Sequence, residues 1–150
     1  MKDMKSDELN MLIAEGECLT IEFKEKYTPQ IDQDIVAFAN SKGGMIILGV
    51  DDAGNIPGEQ LTNQMKADIS SLAGNCKPHI TIQAISQVDK AIVIEVHEGN
   101  EKPYTCPSGY FRRLDAVTQQ IVQEEKLGVK LGVKLGVNQI RILELIAENK

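Results

Sequence analysis

The sequence predicts an α+β domain in which a mixed β-sheet is flanked by helices, with a C-terminal helical extension. Three observations carry this prediction. Along the first 120 residues, segments with helical spacing of apolar residues alternate with strand-like segments. The continuous apolar run 45–50, bounded by turn residues, is typical of a strand covered on both faces. The alternating runs 80–85 and 91–96 indicate an antiparallel hairpin, joined through 86–90.

The first two elements are a short helix and a half-buried strand. Ser6 is a capping residue, and the apolar residues that follow it keep helical spacing as far as Gly16. Residues 18–24 then alternate between apolar and polar, so we expect one face to be buried and the other to face solvent. The apolar set is Leu19, Ile21 and Phe23, and the polar set is Thr20, Glu22 and Lys24.

Two longer helices are predicted next. Thr28 is a plausible cap with Pro29 at the first helical position, and the helix should end at Gly43-Gly44. A turn-rich stretch, 51–58, precedes a third helix. The buried stripe of the second helix is Ile31, Ile35, Phe38 and Ala39, and that of the third is Leu61, Met65, Ile69 and Leu72.

The last part of the chain changes character. A short strand is predicted over 110–114, and Asp115 is placed to cap a fourth helix through Val117 and Ile121. Residues 127–137 repeat the motif LGVK, in which each glycine costs a helix about 0.5–1 kcal/mol relative to alanine. We therefore expect a connector at 121–137, followed by an amphipathic segment.

Composition favours a soluble cytoplasmic protein and counts against broad nucleic-acid affinity. The net charge is -6, whereas phosphate binding normally requires a basic surface, so such a function would need a local basic patch. The three cysteines are scattered and are expected to be free thiols rather than zinc ligands. No apolar run is long enough to span a membrane, and the first ten residues lack a signal-peptide core, so we expect no membrane partner.

Three segments in a fixed order go beyond generic α/β patterning. They are Glu22-Phe23-Lys24, which follows Glu17 by five positions, then Ala37-Phe38-Ala39-Asn40-Ser41-Lys42-Gly43-Gly44, then Gly49-Val50-Asp51-Asp52 with Gly54 close behind. In this order they resemble the Schlafen/AlbA-type domain family of bacterial and archaeal regulators and animal Schlafen proteins. Lys102-Pro103-Tyr104 and Gly109-Tyr110-Phe111-Arg112-Arg113 look like two further elements of that family.

This resemblance implies a domain organisation. It covers residues 1–120 as a nucleic-acid-binding domain, with 121–137 as the linker. The LGVK repeat and the amphipathic segment after it are similar to family members in which a winged helix follows, so 138–150 would be the start of a truncated winged-helix domain. The recognition helix of such a domain, which would read the major groove, is missing from the sequence.

The resemblance also implies catalytic residues for one branch of the family. In nuclease-active Schlafen proteins an E-x4-E pair and a later aspartate serve metal-dependent RNA cleavage, and the matching positions are Glu17, Glu22, Asp51 and Asp52. Glu22 and Asp52 would then hold Mg²⁺ or Mn²⁺. A regular strand would point Glu17 and Glu22 to opposite faces, so they converge only if the chain bends at 16–18. Otherwise Glu22 pairs with a basic residue, and the aspartates build a turn.

Candidate nucleic-acid contacts are Lys24, Lys42, Arg112 and Arg113. Neighbouring strand residues project to opposite faces, so one of the two arginines should be exposed and the other is free to pair within the sheet. Gly43-Gly44 serves either to end the helix or to admit a phosphate, and we favour the structural role. Ser41-Lys42-Gly43-Gly44 has its lysine before the glycines, which excludes a P-loop ATPase.

Three functions follow. The favoured one is a nucleic-acid-binding module of a transcriptional regulator, with DNA as the first expectation and RNA left open, with no required cofactor and with a homodimer as a further expectation. The second is the metal-dependent endoribonuclease, and the third is a dimerisation or ligand-sensing domain without nucleic-acid affinity.

Overall fold

The computed structural model describes residues 4–122. The LGVK repeat and the predicted start of a winged helix, 138–150, lie outside the described residues, so the predictions on them stay predictions. The architecture below is that of the first of two compact units, Met1–Gln119. The helices in the described range are α1 (Ser6–Glu15), α2 (Ile31–Ala39) and α3 (Asn63–Gly74). None of them is long and apolar enough to cross a membrane.

Two sheets make up the β part, and the predicted α+β class with a mixed sheet is confirmed. The first sheet contains β1 (Ile21–Lys24), β2 (Gly44–Leu48), β3 (Ala84–Val88) and β4 (Ala91–Val96) in the order β1-β2-β4-β3. β1 runs parallel to β2, and the other pairs are antiparallel. The second sheet contains β5 (Thr105–Cys106), β6 (Gly109–Leu114) and β7 (Val117–Gln120), with β6 in the middle.

The four-stranded sheet is covered on both faces. On one face, α2, α3 and the second sheet bury a core around Phe38, Ile46 and Ile94. On the other face, α1 contributes Leu9 to a smaller core with Ile47. β2 supplies apolar side chains to both cores, which explains its continuous apolar run.

Several boundaries differ from the sequence prediction. Lys5 rather than Ser6 precedes the first turn of α1, and its amide donates to the Glu8 carboxylate at 3.0 Å. α2 begins at Ile31 after a turn that starts at Thr28. β3 begins at Ala84, four residues later than the sequence predicted. Residues 81–83 continue the alternation of apolar and polar residues, but they do not form a regular strand.

The predicted fourth helix is wrong. Asp115 has a φ of 54°, a left-handed conformation that reverses the chain between β6 and β7. Aspartate tolerates this conformation better than most residues, which suits it to a tight turn as well as to a helix cap. The segment after it pairs as a third strand instead of forming a helix.

Candidate functional site

The charged cluster of the domain centres on Arg113, whose side chain is 0% exposed. Its guanidinium forms an ion pair with the Glu22 carboxylate and lies 4.7 Å above the centre of the Phe38 ring. Every guanidinium nitrogen donates to a protein oxygen. The remaining acceptors are the Leu19 carbonyl at 3.2 Å, the Cys18 carbonyl at 2.6 Å, the Ile21 carbonyl at 3.1 Å and the Thr118 hydroxyl at 3.0 Å.

A second acid and a second base complete this cluster. The Lys24 Nζ lies 3.7 Å from the Glu22 Oε2 and 3.5 Å from the Asp34 Oδ2. The Thr118 hydroxyl donates to the Asp34 Oδ1 at 2.7 Å. Glu22 and Asp34 therefore hold the charge of Lys24 close to the protein's own acids, and Glu17 adds a third carboxyl beside Glu22.

Burial sets the electrostatics of the two carboxylates. Desolvation raises the pKa of Glu22 despite the hydrogen bond from Arg113, and the adjacent carboxyl of Glu17 raises it further. Desolvation likewise raises the pKa of Asp34, against the opposing effect of Lys24. A polar cavity of about 310 Å³ opens beside the cluster, and its walls include Gln30 from the start of α2.

The carboxyl groups of Glu17 and Glu22, the two acids of the E-x4-E motif, lie next to each other. Gly16 has a φ of 87°, and a tight turn joins Cys18 to Ile21 through paired backbone hydrogen bonds. The chain therefore bends in the region where the sequence required a bend for the two glutamates to meet. The Glu17 carboxylate then accepts a hydrogen bond from the Phe23 amide at 2.8 Å.

The two aspartates after β2 have a different setting. The Asp51 Oδ1 accepts hydrogen bonds from the amides of Ala53 at 3.0 Å and Asn55 at 2.8 Å, which is the turn-building role. Asp52 is exposed in the same turn. Within 4–122, no group of three or more His, Cys, Asp or Glu side chains is placed to hold a metal ion. Because cations of the protein already occupy the Glu22 carboxylate, the residues as placed do not fit the predicted Mg²⁺ or Mn²⁺.

The two neighbouring arginines of β6 project to opposite faces. Phe111 and Arg113 are buried against α2, whereas Tyr110 and Arg112 are partly exposed on the outer face of the second sheet. Among the described residues Arg112 has no ion-pair partner, and its Nε atom is buried without a hydrogen-bond acceptor. Arg113, in contrast, has no exposed side chain with which to contact a ligand.

Lys42 lies near this strand and is exposed. The Arg113 amide donates to the Ser41 hydroxyl at 3.1 Å. Lys42 follows Ser41 and Arg112 precedes Arg113 in the sequence, so the backbones of Lys42 and Arg112 lie beside this hydrogen bond. Of the four predicted basic contacts, these two form no ion pair within the described part of the chain, and the charge of Lys42 lies near enough to Glu98 to help lower the pKa of that carboxyl.

The A-F-A-N-x-x-G-G segment, residues 37–44, makes structural contacts within the domain. The Asn40 amide donates to the carbonyls of Tyr104 and Phe111, both at 2.9 Å, and its oxygen accepts from the Tyr104 amide at 2.7 Å. This ties the end of α2 to β6 and to the residue that precedes β5. A Cβ on Gly44 would lie 2.4 Å from the Thr20 carbonyl oxygen, so this glycine permits a close approach of backbones. The preferred structural interpretation of these residues fits both contacts.

Sequence reasoning missed Asp34 and Thr118. Asp34 reads as one more acid in the first turn of a helix, but it stands three residues after Ile31 and four before Phe38, within the buried stripe. A polar residue in such a stripe is the signal that could have found it. Thr118 fell in the segment wrongly predicted as helical, so its strand position was not foreseen.

Comparison with known proteins identifies the family. The family model described as Schlafen, AlbA_2 matches residues 17–122. The chain belongs to the Schlafen AlbA_2 family. This membership classes the AlbA_2 domain described above with domains of the nucleic-acid-binding type.

A solved structure shares the AlbA_2 fold. The DIP2311 protein from Corynebacterium diphtheriae superposes with a TM-score of 0.53 at 18% sequence identity, over 71% of this chain. The chain corresponds to 23% of that protein's length, so the likeness concerns the fold alone. A comparison with curated proteins found no match.

Proposed function

We propose that the AlbA_2 domain binds nucleic acid as a module of a transcriptional regulator, with DNA as the expected partner. The observation that carries the proposal is the family match over residues 17–122, which spans both sheets. The geometry adds a surface on which such binding would occur.

The proposed interface is the outer face of the second sheet. Tyr110 and Arg112 alternate with buried residues along β6, so an aromatic ring and a guanidinium stand next to each other on one face. Arginine binds phosphate through its planar fork of donors, and a tyrosine ring can stack on a base. Arg112 is well suited to this role because no described carboxylate neutralises it.

Charge explains why the interface is confined to a small patch. Lys24 and Arg113 are balanced by Glu22 and Asp34 and add no net positive charge to the surface. The chain as a whole carries -6. We therefore expect modest affinity that falls steeply with salt, since few phosphate contacts are available to offset the overall repulsion.

The test is fluorescence anisotropy of the full chain with labelled double-stranded DNA, single-stranded DNA and structured RNA, from low to moderate salt. Arg112→Ala should weaken binding about tenfold and reduce the slope of log affinity against log salt by about one. Lys90→Ala removes an exposed lysine from the turn between β3 and β4 and serves as the matched control. Equal loss in both variants would argue against a local interface, and no binding at any salt would argue against the function. A stable dimer without nucleic-acid affinity would favour the dimerisation or ligand-sensing alternative.

The convergence of Glu17 on Glu22 supports a second candidate, the metal-dependent endoribonuclease. We assign no metal ligand, because the carboxylates as described do not form a metal group. The same binding reactions, supplemented with Mn²⁺ and resolved on a gel, test it directly. RNA cleavage that disappears in Glu17→Gln would support this candidate, and uncleaved RNA in the wild-type reaction would remove it.

A further inference from the structure

Two of the three cysteines lie opposite each other across neighbouring segments. Lys77, just after α3, and Thr105, at the start of β5, exchange both backbone hydrogen bonds, at 2.8 and 2.9 Å. One residue beyond this isolated bridge stand Cys76, in the turn that ends α3, and Cys106, and the two thiols lie close enough to interact electrostatically. These two thiols are far apart in sequence, so their spacing gave no sign of this relationship.

The geometry of that position suits a covalent link. Residues adjacent to a hydrogen-bonded antiparallel pair form a non-hydrogen-bonded pair, whose Cα atoms are about 4.5 Å apart. Disulfides accept Cα separations of about 4.4 to 6.8 Å. Cys76 and Cys106 are 3% and 7% exposed and belong to the same apolar core, which agrees with side chains that point to the same side.

A buried acid adjoins the pair. Asp32 is 7% exposed, interacts with the Cys106 thiol, and has an Oδ1 atom without a hydrogen-bond partner among the described residues. Burial raises the pKa of the Cys76 thiol to about 12 and also raises the pKa of Cys106. Both thiols are therefore protonated at neutral pH, and each reacts through a thiolate that forms only transiently.

Access is easiest through Cys106. It occupies a two-residue strand at the edge of the second sheet, and the exposed turn 107–108 follows it directly. Cys76 is deeper, and its thiol donates to the Leu72 carbonyl at the end of α3, at 3.4 Å. Cys106 is 7% exposed and Cys76 is 3% exposed, so an oxidant from solvent meets Cys106 first.

We propose that Cys76 and Cys106 are a redox-modification site that closes to a disulfide on exposure to hydrogen peroxide. The Cys106 thiol loses its proton, and the resulting thiolate attacks one peroxide oxygen, giving Cys106 sulfenic acid and releasing water. The Cys76 thiol then gives up its proton as its sulfur attacks the Cys106 sulfur, which forms the S–S bond, and the displaced hydroxide takes up a proton and leaves as the second water. Two thiols lose two electrons and two protons, and one peroxide is reduced to two waters.

The test uses the full chain with its native cysteine pair. Cys18→Ser removes the exposed third thiol, so dimers cannot form through it. After graded peroxide treatment, the protein is unfolded, remaining thiols are alkylated, and intact mass and non-reduced peptide maps are recorded. We expect a loss of two hydrogens, no alkylation at either cysteine, and a linked peptide containing both. The melting temperature should rise by roughly 5 to 10 °C and return on reduction.

The wild-type chain provides the internal gauge, because exposed Cys18 reports the peroxide dose that oxidises an accessible thiol. Two alkylated thiols at Cys76 and Cys106 after Cys18 has been fully oxidised would overturn the proposal. Sulfinic acid on Cys106 with Cys76 still free would overturn it as well. Cys76→Ser in the Cys18→Ser background should retain its far-ultraviolet circular dichroism and lose the peroxide-dependent rise in melting temperature.

Discussion

The Glu22 carboxylate and the Arg113 guanidinium form a buried ion pair between residues 91 positions apart in sequence. Glu22 stands in β1 of the four-stranded sheet, and Arg113 stands in the middle strand of the second sheet. Because Arg113 also donates to the carbonyls of Cys18 and Ile21, one side chain fixes the turn before β1 and the strand itself. The E-F-K motif and the arginine of β6 are thus two halves of one contact.

Removing Arg113 should destabilise the domain severely. Arg113→Met leaves Glu22 buried without its main partner and several carbonyl oxygens without donors, which should lower the free energy of unfolding by about 3–5 kcal/mol. Arg112→Met is the matched control on the adjacent, outward-facing position, and it should change that free energy by less than about 0.5 kcal/mol. Urea denaturation followed by circular dichroism measures both. Similar midpoints for Arg113→Met and the wild type would contradict the structural role.

The buried Asp34 should make stability depend on pH in a defined direction. Its pKa in the folded protein is raised above the ordinary value of 3.8, so folding favours its protonated form. The associated stability is complete below that ordinary value and is lost as pH rises through the raised pKa. Asp34→Asn abolishes this loss, so its urea midpoint relative to wild type should improve as pH rises from acidic values through the raised pKa of Asp34 and then level off.

The control for the pH experiment is Asp52→Asn, a change at an exposed turn residue. It provides the baseline for the loss of one exposed carboxyl over the same range. A constant difference for Asp34→Asn would mean that burial does not disfavour the ionised form of Asp34.

Two glycine substitutions should have opposite effects on the free energy of unfolding. A Cβ at Gly44 would lie 2.4 Å from the Thr20 carbonyl oxygen and 2.7 Å from the Phe38 ring, so Gly44→Ala forces the backbone of β2 away from the turn before β1. We expect a loss of about 2 kcal/mol or more. Gly74, the last residue of α3, has open space around the same position, and Gly74→Ala should stabilise by about 0.4–1 kcal/mol. Thermal melts of the two variants distinguish these outcomes, and a stabilised Gly44→Ala would refute the close approach.

Truncating Asn40 should loosen the junction between α2 and the second sheet. Asn40→Ala leaves the Tyr104 amide and two carbonyls without their buried partner, for a cost of about 3 kcal/mol. Asn75→Ala, at the equivalent capping position of α3 and exposed, is the control and should be close to neutral. Amide hydrogen exchange adds a local readout, in which Tyr104 should lose protection in Asn40→Ala alone.

Sequence pattern predicted the helices and the central strands because their apolar spacing is set by one local rule, burial of a face. It predicted wrongly that Glu22 faces solvent. The alternation of apolar and polar residues in β1 shows which side chains are polar, but not what covers each face of the strand. The covering layer is the second sheet, which comes about 90 residues later in the chain. No pattern within a window of the usual length contains that information.

The basic residues illustrate the same limit at the candidate site. Alternation required that Arg112 and Arg113 point in opposite directions, and this was predictable. Arg113 is the buried one for two reasons that the pattern does not contain. It shares a face with Phe111, and its guanidinium donates hydrogen bonds to backbone carbonyls of the 18–21 turn. Asp34 was missed because helical acids near an N-terminus are common, and only its place in the buried stripe distinguished it.

The position of Arg113 near the end of the domain has a consequence for biosynthesis. During translation, the turn at 18–21 and the Glu22 carboxylate emerge early, but their donor is made only after more than three quarters of residues 4–122. Until β6 has left the ribosome, a nascent chain holds an acid and several carbonyls that native packing would bury without partners. We therefore expect folding to await completion of β6, and shorter nascent chains to depend on chaperones.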